Sequence, residues 1–266
     1  MKKFLILALS FLMLMGLTAC SSSNDEELDS LSAVKQRGKL IIATEGDWAP
    51  WTYHDENGKL VGFDVEVGQR IAEIIGVEAQ FEETVWDSIL AGVESGRFDI
   101  ACNGVGYTKS RAESYDFSDP YVYTKVVLIV KSDNEDIKSF EDLAGKITGN
   151  TASSTYAELA ETYGASVKAV DDFSQTIELV DRGTDNGGID ATINSEESYL
   201  DYMQQHPETA IKVVDEMAGD IIAFPTRKCE NNTLVIAVND ALKQLRDSGE
   251  LAELSIKYFG EDLTRQ

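Results

Sequence analysis

Arg111 stands out among the residues that could bind a ligand, because a glycine-rich segment and a hydroxyl group closely precede it. The segment at residues 103–106 reads NGVG, and Thr108 lies between it and Arg111. Glycines leave their peptide N–H groups uncovered by side chains, and a guanidinium donates two parallel hydrogen bonds to a carboxylate. The pattern therefore predicts a carboxylate-binding site. The alternative is a surface arginine that pairs with Glu113 or Asp116.

The elements around this segment predict an α/β fold. Residues 98–102 form an apolar run that predicts a buried strand ending at the glycines. Upstream, residues 39–44 and 78–81 predict strands, and residues 64–75 predict a helix with one apolar face. This alternation favours a parallel sheet covered on both faces, in which ligands bind beyond the carboxyl ends of the strands. The residues that follow predicted strand ends are Glu45, Trp48, Trp86, Gly104 and Arg111.

Several stretches of the chain resemble the polar amino-acid family of solute-binding proteins that serve ABC importers. The resemblance rests on LIIATEGDWAPWTYHDENGKLVGFDVEVG, TKSRAESYDFSDPY and KYFG, in the family's order, and extends from about residue 39 to residue 260. It implies the type II periplasmic-binding-protein fold, with two lobes that are each a mixed, mainly parallel sheet flanked by helices. It also implies that the lobes close around a free amino acid and that the closed form docks on permease subunits in the membrane.

The implied architecture divides the chain into two lobes joined by two hinge strands. An apolar run, VVLIVK, begins at residue 126 and predicts the strand that crosses into the second lobe. We expect lobe 1 at residues 38–120 and 223–266, and lobe 2 at residues 126–217. The hinge strands are expected at residues 121–125 and 218–222.

The resemblance also implies roles for individual residues in the cleft. An acidic residue and an aromatic residue of the family are matched by Glu45 and Trp48, and an aromatic wall by Trp86, for which packing in the core is the alternative. Ser153 matches a hydroxyl in the loop that opens a helix of lobe 2, where helix capping is the alternative role for a hydroxyl. The complete set of ligand-binding residues expected is Glu45, Trp48, Trp86, Gly104, Gly106, Thr108, Arg111, Ser153, Ser195 and Glu196.

Two positions depart from the family's pattern. Ser195 lies where most relatives have an aspartate that binds the ligand's ammonium group, and a serine cannot neutralise that charge. The sequence therefore leaves Glu45 and Glu196 as candidates, although Glu196 at a helix N-terminus also fits a residue that complements the helix dipole. Gly106 lies where relatives often have serine or threonine, so one side-chain donor is missing.

The N-terminus predicts export and lipid anchoring. Residues 1–19 combine a charged start with a short apolar run, which is typical of a secretory signal peptide. The run ends in LTAC and resembles the lipobox of bacterial lipoproteins. Cys20 would then carry lipid, including palmitate, and residues 20–37 would form a flexible tether at the outer face of the cytoplasmic membrane. An ordinary signal peptide with a chance cysteine is the alternative.

Charge and composition exclude several function classes. The formal net charge is −24, and loss of the signal peptide would remove two more lysines. A polyanion such as nucleic acid would be repelled. The chain has two histidines and three cysteines, so we expect neither a metal site nor a cofactor. We expect Cys102 and Cys229 to be free thiols, with a disulfide left open.

The identity of the ligand follows from the resemblance alone. The stretches CNGVGYTKSRAESYDFSDPY and NTASSTYAELA resemble the cystine branch, so cystine or a related sulfur amino acid is expected, with glutamine or glutamate as alternatives. A dehydratase on the same fold is a further alternative, and it would need Glu45 and Glu196 as its acid–base pair. An adhesive lipoprotein, which would leave Arg111 and the tryptophans unexplained, and a sensor domain are further alternatives. We expect a monomeric binding protein without enzymatic activity.

Overall fold

The computed structural model of the chain describes residues 29–265, which form strands, α-helices and short 3-10 turns. The strands are β1 (Lys39–Thr44), β2 (Asp47–Trp48), β3 (Thr52–His54), β4 (Leu60–Val61), β5 (Glu78–Glu83), β6 (Ile100–Ala101), β7 (Tyr115–Phe117), β8 (Val122–Lys131), β9 (Ile147–Asn150), β10 (Ser166–Ala169), β11 (Ala191–Ser195), β12 (Ile211–Ile222) and β13 (Pro225–Arg227). The helices are α1 (Ser30–Arg37), α2 (Phe63–Ile75), α3 (Trp86–Glu94), α4 (Arg111–Ser114), α5 (Thr155–Thr162), α6 (Phe173–Arg182), α7 (Glu196–Gln205), α8 (Thr233–Ser248) and α9 (Glu250–Phe259).

The first lobe is built on a sheet with the strand order β5-β1-β6-β13-β7. Successive residues of β1 point to opposite faces, so Ile42 packs with α2 and α8 while Ala43 packs with α3. Val67 and Ile71 of α2 are fully buried because helical spacing brings them to one face. The strand predicted at residues 39–44 is confirmed, and the helix predicted at 64–75 begins one residue earlier.

The second lobe is built on a sheet with the strand order β10-β9-β11-β8-β12. Its core lies on both faces, with Leu128 and Ile193 on the side of α5, and Ile129 on the side of α6. In each of these two five-stranded sheets, two neighbouring pairings are parallel and two are antiparallel. The mixed character is confirmed, but parallel pairing does not dominate, because β8 pairs antiparallel with β11 and β12, and β13 pairs antiparallel with β6 and β7.

Strands β8 and β12 form the longest ladder and extend from one lobe into the other. They pair antiparallel from Val122 opposite Ile222 to Lys131 opposite Ile211, with an irregularity between Ala218 and Ile221. The hinge segments predicted at residues 121–125 and 218–222 lie together at one end of this ladder. The chain therefore passes between the lobes twice, at neighbouring places. The exact lobe boundaries given above remain a prediction.

The predicted tether at residues 20–37 is wrong for residues 30–37, because α1 is a packed helix. Asp29 caps its N-terminus by accepting a hydrogen bond from the N–H of Ser32, and Gly38 ends it in the left-handed conformation. Val34 is fully buried, and the N–H of Leu31 donates to Thr233 Oγ1 at 3.1 Å. Leu31 and Val34 pack against the core, and two such residues among polar ones are too weak a pattern to predict this helix. The predicted signal peptide, Cys20 and residues 20–28 lie outside the described residues.

The region before the glycine-rich segment is buried as expected, although its strand is shorter. Residues 98 and 100–102 are buried, but only β6 pairs with neighbouring strands. Cys102 lies in this core with a free thiol, and Cys229 is also a free thiol.

Candidate functional site

A cavity of about 650 Å³, measured to its open mouth, lies between the two lobes. Residues from the ends of β1, β6, β9 and β11 line it, as expected for a sheet that binds ligands beyond its strand ends. Six of the ten predicted residues belong to this lining: Glu45, Trp48, Trp86, Gly104, Gly106 and Arg111.

Arg111 is the cation that lines the cavity within the described residues. It is the first residue of α4, and its backbone N–H donates to Thr108 Oγ1 at 3.0 Å. The guanidinium donates from Nη1 to the carbonyl oxygen of Gly106 at 2.9 Å and from Nη2 to that of Ser153 at 3.1 Å. It also lies over the ring of Trp86, with Cζ 5.5 Å from the centroid. Burial lowers the pKa of Arg111 from its usual value, yet an arginine stays charged in a protein.

The two glycines before Arg111 differ in what their N–H groups do. The N–H of Gly104 donates to Asp64 Oδ2 at 2.7 Å, so it is not free for a ligand. Gly104 has a φ of +55°, and a Cβ there would lie 2.8 Å from the Trp48 ring, so the position requires glycine. Gly106 is bridged to Ile222, and no hydrogen bond among residues 29–265 occupies its N–H. That N–H and the Arg111 guanidinium are therefore two donors available to an anionic group.

Glu45 lies in the cavity as a carboxylate that is already hydrogen-bonded. Asn103 Nδ2 donates to Glu45 Oε2 at 2.6 Å, and the N–H of Trp86 donates to Oε1 at 3.2 Å. Burial raises the pKa of Glu45 to about 7, and the nearby charges of Asp47 and Asp171 act in the same direction. A cationic group of a ligand would favour the ionised form, so binding there would release a proton.

The tryptophans form apolar walls of the cavity. Trp48 stacks on the fully buried Trp51 with ring centroids 5.6 Å apart and also packs against the core of the second lobe. Trp86 belongs to the core cluster beside α3 and lines the cavity as well. Wall and core packing, which the sequence presented as alternatives for Trp86, are therefore combined in one side chain.

Four predicted residues do not line the cavity, and two of these contact Arg111 instead. Thr108 accepts the N–H of Arg111, as described above. Ser153 offers its carbonyl oxygen to Arg111, while its hydroxyl donates to Asp87 across the gap between the lobes. Thr108 therefore positions the arginine, and Ser153 both contacts the arginine and joins the lobes.

The other two, Ser195 and Glu196, are engaged elsewhere. Ser195 is fully buried and caps α7, with its Oγ accepting from the N–H of Ser198 at 3.4 Å. Glu196 lies with its carboxylate 3.3 Å from Lys125 Nζ, outside the cavity lining. The structure therefore does not bring Glu196 to the site, because the first turn of α7 directs it toward the hinge strand β8.

The structure adds lining residues that the sequence did not indicate. Asn150 and Asn194 lie at the carboxyl ends of β9 and β11, so the strand-end rule could have found them. Asp47, Asp171 and Asp220 add three carboxylates to Glu45. No local pattern singles out Asp220, which lies near the end of β12. The lining is therefore strongly acidic, with Arg111 as its cation in the described residues.

Other kinds of site find no support in the described part of the chain. Within residues 29–265, no three histidine, cysteine, aspartate or glutamate side chains are grouped so that they could hold a metal ion. Among the helices at these residues, none combines the length and apolar character needed to cross a membrane.

Known proteins are similar to this chain in sequence and in fold. The L-cystine-binding protein TcyA of Bacillus subtilis (strain 168) is 35% identical over 273 residues, with 100% of both chains covered. An ancestral arginine-binding protein bound to arginine is 34% identical, with a TM-score of 0.77 over 84% of this chain and 99% of that one. The L-cystine solute receptor of Neisseria gonorrhoeae, unliganded and open, is also 34% identical, with a TM-score of 0.59 over 90% and 100%.

These relatives confirm the type II, two-lobed binding-protein fold that the sequence motifs predict. The family model described as bacterial extracellular solute-binding proteins, family 3, matches residues 40–261, which include both lobes and every residue of the cavity lining. The chain is therefore a member of family 3 of the bacterial extracellular solute-binding proteins.

Proposed function

We propose that this protein captures a free amino acid between its lobes and delivers it to an ABC importer. The observation that carries the proposal is the placement of Arg111 in a cavity lined by carboxylates and tryptophans. Its guanidinium and the N–H of Gly106 would bind the α-carboxylate, and the acidic residues would bind the cationic part of the ligand. A cavity that binds both ends of a zwitterion selects amino acids over simple acids or amines.

Capture is proposed to occur by closure of the lobes about β8 and β12. Contacts across the gap support this step, because Arg111 and Asp87 of the first lobe bond to Ser153 of the second. The chain also superposes better on the arginine-bound ancestral protein than on the open, unliganded receptor. Closure would remove water from the site and strengthen the electrostatic contacts to the ligand.

The ligand is proposed to be cystine or a related sulfur amino acid. The naming of TcyA and of the gonococcal receptor as cystine proteins supports this assignment. The acidic lining suits a ligand with a second cationic group, because several carboxylates face one guanidinium. Cystine has such a group in its second ammonium, which a second carboxylate accompanies. Arginine also brings a second cationic group and is a second candidate. Glutamate would add a negative charge to an acidic site, so we place it last.

A binding panel tests the proposal. Purified protein, freed of bound ligand by unfolding and refolding, would be titrated calorimetrically with L-cystine, L-arginine, L-glutamine and L-glutamate. We expect saturable binding of cystine, weaker binding of glutamine and the weakest of glutamate. Tightest binding of arginine would overturn the cystine assignment, and no binding of any amino acid would contradict the proposed function.

We propose that binding is the whole activity and that the ligand leaves unchanged. The dehydratase alternative required Glu45 and Glu196 as an acid–base pair, and Glu196 lies against Lys125 instead of in the cavity. Mass spectrometry of each ligand after prolonged incubation tests this point. Recovery of the intact amino acid is expected, and a dehydrated or deaminated product would contradict it.

We further propose that the protein acts as a monomer anchored outside the cytoplasmic membrane by lipid on Cys20. The extracellular character of the family supports the location. The lipobox-like run LTAC supports the anchor. Permease subunits in the same membrane would then be the partners of the closed form.

A further inference from the structure

Asp220 reaches the cavity because β12 is irregular where it passes between the lobes. The register between β8 and β12 shifts between Ala218 and Ile221. Gly219 fits this irregularity, since a Cβ there would lie 2.8 Å from the backbone of Thr124. Bulges of this kind redirect the side chain next to them. Here the redirected side chain is the carboxylate of Asp220, which lines the cavity.

The Asp220 carboxylate takes the space of a side chain at position 106. Residues 105–107 run antiparallel to residues 221–223, with the N–H of Tyr107 donating to the carbonyl oxygen of Ile221 at 2.8 Å. A Cβ added to Gly106 would lie 2.7 Å from Asp220 Oδ2 and 2.8 Å from its Cγ. Real Cβ atoms do not approach other heavy atoms so closely. An aspartate at 220 in this conformation therefore fits beside a glycine at 106, and a side chain at 106 would force its carboxyl to shift.

The surroundings of Asp220 leave one of its oxygens open to a ligand. Thr155 Oγ1 donates to Asp220 Oδ2 at 2.6 Å, and no hydrogen bond among residues 29–265 reaches Oδ1. Burial raises the pKa of Asp220, while the Thr155 hydroxyl and the charge of Arg111 oppose that rise. Arg111, whose charge favours the ionised form of Asp220, also bonds to the carbonyl oxygen of Gly106.

The position of Asp220 relative to Arg111 suggests which group of the ligand this carboxylate binds. The α-carboxylate and α-ammonium of an amino acid are attached to the same carbon, so their protein partners must lie close together. Asp220 and Arg111 meet this condition on either side of Gly106, because the guanidinium bonds to its carbonyl oxygen and a Cβ added to it would overlap the Asp220 carboxyl. A buried ammonium also needs a carboxylate partner, because an unpaired desolvated charge is costly. Ser195 and Glu196 do not supply one, since the first caps α7 and the second faces Lys125.

We propose that Asp220 binds the α-ammonium group of the amino acid and that Gly106 is a glycine because it makes room for this carboxylate. The two departures from the family's pattern, at Ser195 and Gly106, then have one explanation: the carboxylate has moved from the start of α7 to β12. This inference rests on the proposed function and names the residue that recognises the amine.

The test compares amino acids with analogues that lack the α-amino group. Wild-type protein and Asp220→Asn would be titrated with L-cystine and dithiodipropionic acid, and with L-arginine and guanidinovaleric acid. Asp220→Asn should weaken binding of the preferred amino acid by at least about tenfold, or about 1.4 kcal/mol, and should change binding of the analogue far less. Asp220→Ser removes the carboxylate with a smaller side chain and should give the same result. Glu196→Gln, a matched loss of a carboxylate outside the cavity, should bind as the wild type does.

Equal losses for the amino acid and its analogue, or affinity within about twofold of wild type, would overturn the assignment of Asp220. That outcome would not contradict the proposed capture of amino acids, provided that the wild-type protein binds them. Absence of amino-acid binding by the wild type would contradict the proposed function itself.

The role of Gly106 has its own readout in thermal unfolding. Gly106→Ser should lower the melting temperature of the wild-type protein, because its Cβ overlaps the Asp220 carboxyl. The same change should lower it much less in an Asp220→Ala background, so the two substitutions should be non-additive. Additive effects would show that the two positions do not share this space and would overturn that half of the proposal.

Discussion

The guanidinium of Arg111 donates a hydrogen bond from Nη2 to the carbonyl oxygen of Ser153 at 3.1 Å, although the two residues belong to different lobes. Nη1 bonds to Gly106 in the first lobe at 2.9 Å. One side chain therefore contacts both lobes at the place where a ligand carboxylate is expected. A ligand bound to Arg111 would be coupled directly to the closure of the lobes.

Replacing Arg111 by alanine should weaken amino-acid binding by about 100-fold or more, or about 2.7 kcal/mol. The reason is that a charge-assisted pair in a cavity from which water is excluded has no substitute. Arg111→Lys should also weaken binding, because an ammonium lacks the planar fork of the guanidinium. Calorimetry on refolded protein measures both effects.

A matched control for this prediction is Arg97→Ala, which removes a guanidinium that lies over Phe98 and outside the cavity. It should leave affinity unchanged. Wild-type affinity in Arg111→Ala would show that the carboxylate is bound elsewhere.

Binding should weaken as the pH falls from 8 to 6, because burial raises the pKa of Glu45 to about 7. Above that pH the carboxylate is ionised and accepts a cationic group, whereas below it the ligand must displace a proton. The affinity should therefore fall by up to about tenfold per pH unit below the pKa. Titrations at pH 7 in two buffers of different ionisation enthalpy should show proton release.

Glu45→Gln should weaken binding by more than about tenfold and should flatten this pH dependence. The exposed Glu253→Gln on α9 serves as the matched control and should keep both the affinity and its pH profile. A wild-type affinity that does not change between pH 6 and 8 would remove Glu45 from the site.

Asp64 should make the folded state less stable as the pH rises, since burial raises the pKa of this carboxyl from 3.8 to about 7. A raised pKa means that the folded protein binds the proton more tightly than the unfolded chain does. The resulting stabilisation is complete at low pH and is lost as the pH rises through about 7, with a slope of up to about 1.4 kcal/mol per pH unit.

Asp64→Asn should remove that slope. An asparagine can still accept the N–H of Gly104 through Oδ1 and donate to the hydroxyl of Tyr121, so we expect the variant to fold. Denaturant unfolding of both proteins between pH 5 and pH 8 should show the variant gaining stability relative to the wild type as the pH rises. Asp247→Asn, on the surface of α8, is the control. A constant difference across this range would contradict the prediction.

Cys20→Ser should release the protein from membranes, because lipid on Cys20 is the anchor that the sequence predicts. Fractionation of cells that express the variant should recover it in the soluble extracytoplasmic fraction. A Cys229→Ser variant, which loses a free thiol within residues 29–265, should stay with the membranes. A Cys20→Ser variant that sediments with membranes after a salt wash would show that the lipobox interpretation is wrong.

Much of the site was predictable from local sequence, because its residues follow the ends of strands that can be recognised from short apolar runs. The strand at residues 39–44 and the helix that begins at Phe63 have strong periodic patterns. Glu45, Trp48 and Arg111 lie just after such elements, and the sheet brings them together. The sequence by itself therefore determined the fold class, the family and the arginine that lines the cavity.

Only the tertiary structure decided where the carboxylates lie. Glu196 and Asp220 are both acidic residues near the lobe boundary, but the start of α7 directs Glu196 to Lys125, and the irregularity in β12 directs Asp220 into the cavity. The contact between Thr155 and Asp220 joins residues 65 positions apart. No short-range pattern encodes such a contact, because it depends on the pairing of β8 with β12 and on how the two lobes meet.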